Sequence, residues 1–593
     1  MKRRSEGKQS CLQISDVIPI GRGFDDHRPC LVSLSQEGSY ESCITYAQAR
    51  RAINQHKQWL RGSLETAFSS YDPFSVDTVI AYVSSNSAGF FFSSLACTDL
   101  TCATLVPALL NTRWSPEEMF HAIQPNGTNI ANCCTLILYG PSFRQKALQV
   151  VARLEAQGCQ AIAKSIPEFS TAQFTKETNL VTKKGLSKIG SQSESILSQS
   201  RQMDHSCHQN NNTNDAIILF TSGTTSGAKG VRLSHQALLL QAYAKTTPPC
   251  QYTNDTRMLA STLPFFHVGG LTSILAVWMA HGTVLLPRKA QNGFNPSFVM
   301  KSLGMLDWNC NTLVVVPAML HSLLKHLPSN TSHPQVKLIL IGGQSAPPSV
   351  LKSLRLHFPC ARIVQTYACT EAASSLTFLD LTKDADSEQV GRKIPIAGDC
   401  VGTPPSHIYL ALITTQRGKR KQIQNAFEIG LIASRGSHLM NGYWRRSRPS
   451  FPAIDKQDWF ISNDLGFWDR KGRLYFSGRA SDTIRTGGET VLALEVERVL
   501  LQHPLIDEVA VFPLADDRFG EIVATAVVTI GTQTVTLAAI KDWCKSHGLA
   551  GYKCPKKVFV FDVLPKNSSG KVVKAILKEM FRQAEKQELR SKL

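Results

Sequence analysis

The run Thr221–Ser222–Gly223–Thr224–Thr225–Ser226–Gly227–Ala228–Lys229–Gly230 crowds hydroxyls, glycines and a lysine into one short stretch. Gly223, Gly227 and Gly230 let a backbone approach a ligand closely and take positive φ where needed. Hydroxyls and backbone N–H groups can then surround phosphate oxygens, and Lys229 adds a point charge. The spacing is not that of the Walker loop, which requires Gly-x4-Gly-Lys-Ser/Thr. A serine-rich linker has a similar composition. It would have no need of the apolar run Ala216–Ile217–Ile218–Leu219–Phe220 that leads in and reads as a buried strand.

Other elements of the same kind surround this loop. Val79–Val83 reads as a buried strand and Phe90–Cys97 as a helix, and Thr45 to Phe68 carries helical periodicity. Ser115 is placed to cap a helix whose first turn holds Glu117 and Glu118. Leu313–Pro317 and Lys337–Ile341 read as parallel strands whose carboxyl ends point to a site. Strands alternating with helices predict an α/β fold. From about residue 483 the pattern changes to a small α+β unit, with a helix over Ala493–His503 and strands over Val509–Phe512 and Ile522–Thr529. Residues 162–214, ending in Asn210–Asn211–Asn212, and Lys383–Gly398 read as polar surface segments.

A chain of 593 residues exceeds one core and implies several domains. The net charge of +19 suits nucleic acid or small anionic substrates equally. The sequence has no basic block with interleaved aromatics, no zinc-finger spacing and no heptads, which argues against a nucleic-acid partner. The 16 cysteines form no CxxC pair, so buried reduced thiols are expected rather than a disulfide framework or zinc site. The apolar stretches Phe90–Leu110 and Leu271–Pro287 are broken by Asp99 and His281, and no membrane span is predicted. The last residues, Ser591–Lys592–Leu593, match a tripeptide read by the peroxisomal import receptor, so a peroxisomal location is expected, with the plastid as the alternative.

The loop at 221–230 resembles the phosphate loop of the adenylate-forming superfamily, which includes the acyl-CoA synthetases, with Ser226 and Ala228 in place of a glycine and a proline. Further motifs follow in the family's order. Leu263–Pro264–Phe265–Phe266–His267–Val268–Gly269–Gly270–Leu271 is similar to a segment whose histidine gates the acyl tunnel. A lone histidine beside an apolar run is more often a satisfied core residue. Gly342–Gly343–Gln344–Ser345 matches the adenine-side turn, and Thr366–Tyr367–Ala368–Cys369–Thr370–Glu371 a strand end with a metal-binding glutamate. Glu371 is either a Mg²⁺ ligand or a carboxylate favoured by a helix N-terminus. Trp459–Phe460–Ile461–Ser462–Asn463–Asp464 resembles the ribose-binding turn, altered at Ser462 and Asn463. Gly478–Arg479–Ala480–Ser481–Asp482 resembles the hinge, followed by the Gly487–Gly488 pair. Pro565 to Lys571 resembles the loop of the mobile catalytic lysine.

The resemblance implies a large, multi-layer N-terminal adenylation domain over 1–481 and a small mobile α+β lid over 482–593. It also implies ATP, Mg²⁺ and CoA as reactants, with AMP formed. The nucleotide would meet Thr221, Ser222, Gly223, Thr224, Thr225, Lys229, Gly343, Gln344, Tyr367, Thr370, Asp464, Arg479 and Lys571. Lys571, Glu371, Thr370 and Lys229 are the expected catalytic groups, Glu371 the metal ligand, His267 an acyl-site residue and Asp482 the hinge. Phe266 to Leu271, Thr370 to Phe378 and Val401–Gly402–Thr403–Pro404–Pro405 are most similar to the o-succinylbenzoate–CoA ligases of phylloquinone synthesis. On that reading the hydroxyls of Ser374 and Ser375 hold the acid's second carboxylate. The alternatives are a peroxisomal 4-coumarate-like or fatty acyl–CoA ligase, a luciferase-like adenylating oxygenase, and a degenerate, non-catalytic binding protein of the same fold.

Overall fold

The computed structural model describes residues 27–34, 40–68, 78–100, 105–124, 134–167, 215–221, 228–260, 262–287, 294–304, 308–328, 330–382, 398–416, 419–444, 459–531, 535–566 and 572–591. The chain groups into two compact units. One comprises Met1–Thr221, Lys229–Val314 and Met440–Ser447, the other Ser222–Ala228, Val315–Leu439 and Arg448–Leu593.

The first unit is built on a seven-stranded sheet. Its order is Gly442–Tyr443, Lys229–Ser234, Asp215–Thr221, Leu105–Leu109, Thr78–Val83, Cys134–Tyr139, Gln160–Ser165. The last five run parallel to one another, and Lys229–Ser234 is antiparallel to both of its neighbours, Asp215–Thr221 and Gly442–Tyr443. Ala216 to Phe220 are all buried, as a continuous apolar strand requires when both faces are covered. A second set of strands runs Tyr40–Thr45, Pro29–Leu34, Thr283–Pro287, Arg257–Leu259. The helix Tyr46–Ala67 starts at Thr45, whose hydroxyl accepts from Gln48 N while the Gln48 side chain accepts from Thr45 N. Ser115 caps Pro116–Ile123 as the sequence predicts, and Ser115 and Glu118 exchange the same two bonds there. Among the described residues the cysteines are free thiols and no helix is long and apolar enough to cross a membrane.

In the second unit, Leu338–Gly342 lies parallel to Arg362–Cys369, which turns back as the antiparallel strand Ser374–Asp380. Ala373 takes the turn at φ 55°. An antiparallel sheet follows in the order Asp399–Gly402, Leu474–Arg479, Phe460–Trp468, Gly430–Arg435, Tyr409–Gln416, Lys419–Gln422. Gly402 adopts φ 84°, and a Cβ there would sit 1.9 Å from the Phe378 carbonyl oxygen. Phe378 and Thr403 exchange backbone hydrogen bonds at that crossing. Gly402→Ala combines a strained φ with an overlap that backbone must absorb, and should cost about 2–6 kcal/mol. Urea unfolding that shows less than about 1 kcal/mol lost would contradict this.

The C-terminal part has its own sheet, Glu489–Leu492, Thr483–Thr486, Gly520–Thr529 and Ile506–Asp516, with Lys557–Val560 parallel to Gly520–Thr529. Val496, Leu500, Val523 and Ile540 are fully or almost fully buried in its core. The helices are Ala493–Leu500, Leu537–Ser546 and Lys574–Ser591. The first stops three residues before the predicted His503, because the chain there turns into Ile506–Asp516, with His503 N bonded to Leu500 O. Gly487 and Gly488, at φ 59° and 86°, form the two-residue turn of the hairpin Thr483–Thr486/Glu489–Leu492.

Candidate functional site

Within the second unit, Tyr367, Thr370 and Glu371 stand at the carboxyl end of Arg362–Cys369. Thr370–Ala372 forms a single 3₁₀ turn in which Glu371 is partly exposed. Gly343 and Gln344, both exposed, follow the carboxyl end of the neighbouring parallel strand Leu338–Gly342, and Gly343 takes φ 86°. Gln365, not singled out from sequence, secures this corner. Its Oε1 accepts from Ala346 N at 3.2 Å and its Nε2 donates to Cys400 O at 3.2 Å.

Asp464 arrives from the other sheet, and how it does so corrects the sequence reading. Ser462 and Asn463 are not in a turn but inside the strand Phe460–Trp468. The pairing slips there: Ala433 faces Ile461 while Leu431 faces Leu465, so the strand bulges between them. Ser462 Oγ closes the bulge by donating to Ile432 O at 2.8 Å and accepting from Asp464 N at 3.2 Å. The bulge presents the Asp464 carboxylate to Tyr367, whose hydroxyl donates to Asp464 Oδ2 at 2.6 Å. Arg479, opposite Asp464 in the ladder, brings Nε to 3.6 Å from Oδ1. Burial first, and then the Asp464 charge, push the Tyr367 phenol well above its ordinary pKa, so it stays a donor. Three sequence-predicted residues, Tyr367, Asp464 and Arg479, thus converge.

Among the described residues no group of three or more His, Cys, Asp or Glu side chains forms a metal cage. Glu371 alone suits an ion whose remaining ligands are phosphate oxygens and water, as magnesium's commonly are. Asp482 closes the 3₁₀ turn Ala480–Asp482, and its carboxylate lies 3.7 Å from Lys574 Nζ. Lys574 Nζ also reaches Glu497 Oε1 at 2.7 Å. Lys571 lies outside the described residues. The ends of its loop are held by the Lys566–Val572 bridge and by Val573 N to Pro565 O at 2.8 Å.

In the first unit, Thr221 and Lys229 are ladder partners at the base of the glycine-rich loop. Lys229 is therefore the first residue of a strand rather than a loop residue, and its Nζ lies 5.8 Å from the centre of the Tyr443 ring. Ser222, Gly223, Thr224, Thr225, Ser226 and Gly227 lie outside the described residues, as does the terminal Lys592–Leu593. Of the expected polar segments 162–214 and 383–398, residues 168–214 and 383–397 also lie outside them, while residues 162–165 belong to the strand Gln160–Ser165, paired with Cys134–Tyr139, and Gly398 is buried. His267 occupies the N-cap position of Val268–Met279 without capping it, its ring 4.8 Å from that of Phe266. The loop before it is fixed by Asn86, which sequence reasoning missed. Asn86 Nδ2 donates to Ala260 O and Leu263 O, and its Oδ1 accepts from Phe265 N. A Cβ on Gly270 would meet Pro264 O at 2.4 Å, so only glycine fits against that loop. In the second unit, Ser374 and Ser375 are buried opposite Cys369 and Ala368.

The profile of the AMP-binding enzyme family matches residues 25–444, and that of the AMP-binding enzyme C-terminal domain matches residues 495–571. The chain is 32% identical over 390 residues to a chloroplastic/peroxisomal 2-succinylbenzoate–CoA ligase of Arabidopsis thaliana, covering 61% of this chain and 66% of that one. It is 28% identical over 374 residues to an oxalate–CoA ligase of Saccharomyces cerevisiae, covering 62% and 63%. Each alignment thus spans a little under two thirds of the relative's own length. The o-succinylbenzoate CoA synthetase of Bacillus subtilis, solved with the acyl-adenylate intermediate OSB-AMP, superposes with a TM-score of 0.68 at 24% identity, covering 94% of this chain and 96% of that one. At that identity the likeness is one of fold. The family profile spans well over half of the residues, from the first strands through the glycine-rich loop to the Thr370–Glu371 turn, and the chain belongs to the AMP-binding enzyme family.

Proposed function

We propose that the protein is an AMP-forming acid–CoA ligase that converts 2-succinylbenzoate to 2-succinylbenzoyl-CoA. The observation that carries this reading is the bulge-held Asp464 carboxylate, braced by Tyr367 and Arg479 next to the Thr370–Glu371 turn. An ionised carboxylate so held can accept from both hydroxyls of a ribose, while Gly343 and Gln344 line the adenine side. Lys229 and the glycine-rich loop bind the phosphates. Glu371 would hold a magnesium ion, which would offset phosphate charge.

In the first half-reaction a substrate carboxylate oxygen attacks the α-phosphorus of ATP and pyrophosphate departs. Charge grows on the phosphoryl oxygens, and Lys571, Lys229 and the Thr370 hydroxyl stabilise it electrostatically. In the second, a lid comprising 482–593 turns about Asp482, and the CoA sulfur attacks the acyl carbon and expels AMP. His267 forms part of the acyl wall. The similarity to ligases of 2-succinylbenzoate and of oxalate supports a dicarboxylic acid. It also supports a second reading in which the acid is oxalate.

The acid is tested by AMP release with CoA across 2-succinylbenzoate, oxalate, 4-coumarate, benzoate and fatty acids. A maximum in kcat/KM on 2-succinylbenzoate is expected, and a maximum on any other acid discards that substrate. If Ser374 and Ser375 hold the second carboxylate, Ser374→Ala/Ser375→Ala should raise KM for that acid about 10-fold or more, as loss of hydrogen bonds to a charged group does. Unchanged KM would remove both serines from the acyl site. The similarity to a chloroplastic/peroxisomal ligase supports a peroxisomal location, with the plastid as the alternative. A fluorescent fusion at the N-terminus that stays outside peroxisomes would remove that assignment.

A further inference from the structure

The helix Ala493–Leu500 is the first helix after Asp482, and its two faces serve different partners. Val496 and Leu500 are buried in the C-terminal core. Glu495 pairs with Lys553 at 2.7 Å and Glu497 with Lys574 at 2.7 Å, both partners on the C-terminal side of the hinge. Arg498 points the other way. Its Nη1 donates to Gly398 O at 2.8 Å and its Nε lies 3.2 Å from Asp399 Oδ1, both on residues that precede Asp482 in the chain.

Both acceptors of this contact are rigid, and the helix that carries Arg498 is anchored by the buried Val496 and Leu500. Asp399 is locked in the ladder opposite Phe476. Gly398 is buried so tightly that a Cβ would meet the Phe467 ring at 2.7 Å. The guanidinium fork therefore grips a fixed carbonyl and a fixed carboxylate at once, a geometry that lysine cannot reproduce. The Arg498 side chain itself is 44% exposed, so the grip is reversible and sensitive to salt. A contact that is well anchored at both ends, exposed in the middle and spans the hinge resists rotation there without adding much to folding stability.

We infer that Arg498 and Asp399 form an ionic latch that holds the lid in the arrangement seen here, making Arg498 a positioning residue that sets the balance between the two half-reactions. The inference rests on the ligase reading above, in which the lid turns about Asp482. The latch must open before the lid turns, so its strength biases which half-reaction the enzyme is poised to run.

The test compares wild type, R498Q, D399N and the exchanged pair R498D/D399R. Acyl-adenylate formation is followed by pyrophosphate exchange, and thioester formation by mixing enzyme-bound acyl-adenylate with CoA. Both single variants should shift the ratio of the two rates by about threefold or more in the same direction, the range of a partly exposed ion pair. The exchanged pair should bring the ratio back to within about twofold of wild type, and rising salt should move the wild-type ratio while leaving R498Q unmoved. A ratio unchanged in both single variants, or no recovery in the exchanged pair, overturns the latch. A second readout does not need turnover: the distance between labels at the exposed Lys352 and Lys545, one on each side of the hinge, should broaden or split in R498Q. An R498Q distribution identical to wild type overturns the latch. Absence of both half-reactions in wild type counts against the ligase reading instead, and the label distance still decides the latch.

Discussion

Lys571→Ala should slow acyl-adenylate formation about 10²–10³-fold, the loss seen when a single preorganised donor to a developing oxyanion is removed. The attacking carboxylate and the α-phosphate are both anionic, and charge on the phosphoryl oxygens is highest at the transition state. A cation delivered there stabilises that state more than the bound substrates, so the loss belongs in kcat rather than in KM. Thioester formation from supplied acyl-adenylate should change by no more than a few-fold, because the acyl–phosphate bond is already made. Equal losses in both half-reactions, or a loss below about threefold in the first, would take Lys571 out of the chemistry.

Asp464→Asn should raise KM for ATP about 10- to 100-fold with a smaller fall in kcat. The carboxylate offers two anionic oxygens to neighbouring donors, and hydrogen bonds to a charged group are worth about 1.5–3 kcal/mol each. Asparagine keeps one acceptor, turns the other position into a donor and loses the charge facing Arg479. It also sets an amide nitrogen or a weaker acceptor against the Tyr367 hydroxyl, now 2.6 Å from Asp464 Oδ2. Ribose contacts bind substrate and transition state alike, which is why the effect falls on KM. Tyr367→Phe keeps the charge and removes only the brace, and should cost about fivefold, the value of roughly one hydrogen bond. Unchanged KM for ATP in the asparagine variant would move the nucleotide elsewhere.

Much of the architecture was legible because it is written locally. The Ala216–Phe220 strand, the helix from Thr45, the Ser115 cap and the strand ends at Gly342 and Cys369 follow from runs, caps and breakers within a few residues. The bulge at Ser462–Asn463 was not, because its cause is the register with Gly430–Arg435, some thirty residues earlier. Asn86 and Gln365 escaped for the same reason. Asn86 bonds to backbone more than 170 residues away, and an asparagine in a Ser–Asn–Ser run looks like an ordinary loop residue until that partner is known. Lys229 was read as part of the loop, although its backbone belongs to the ladder with Thr221. Composition favoured the loop reading there, while cross-strand pairing decided the structure.

Exchange of labelled pyrophosphate into ATP tests most directly whether this chain activates a carboxylic acid by adenylation. With 2-succinylbenzoate and magnesium but no CoA, the protein should exchange label at a rate that depends on the acid and falls about 10²–10³-fold in Lys571→Ala. Adding CoA should then yield AMP and the acyl thioester in equal amounts. A protein that binds ATP yet exchanges no pyrophosphate with any acid in the panel would contradict the account, leaving an adenylate fold used for binding alone.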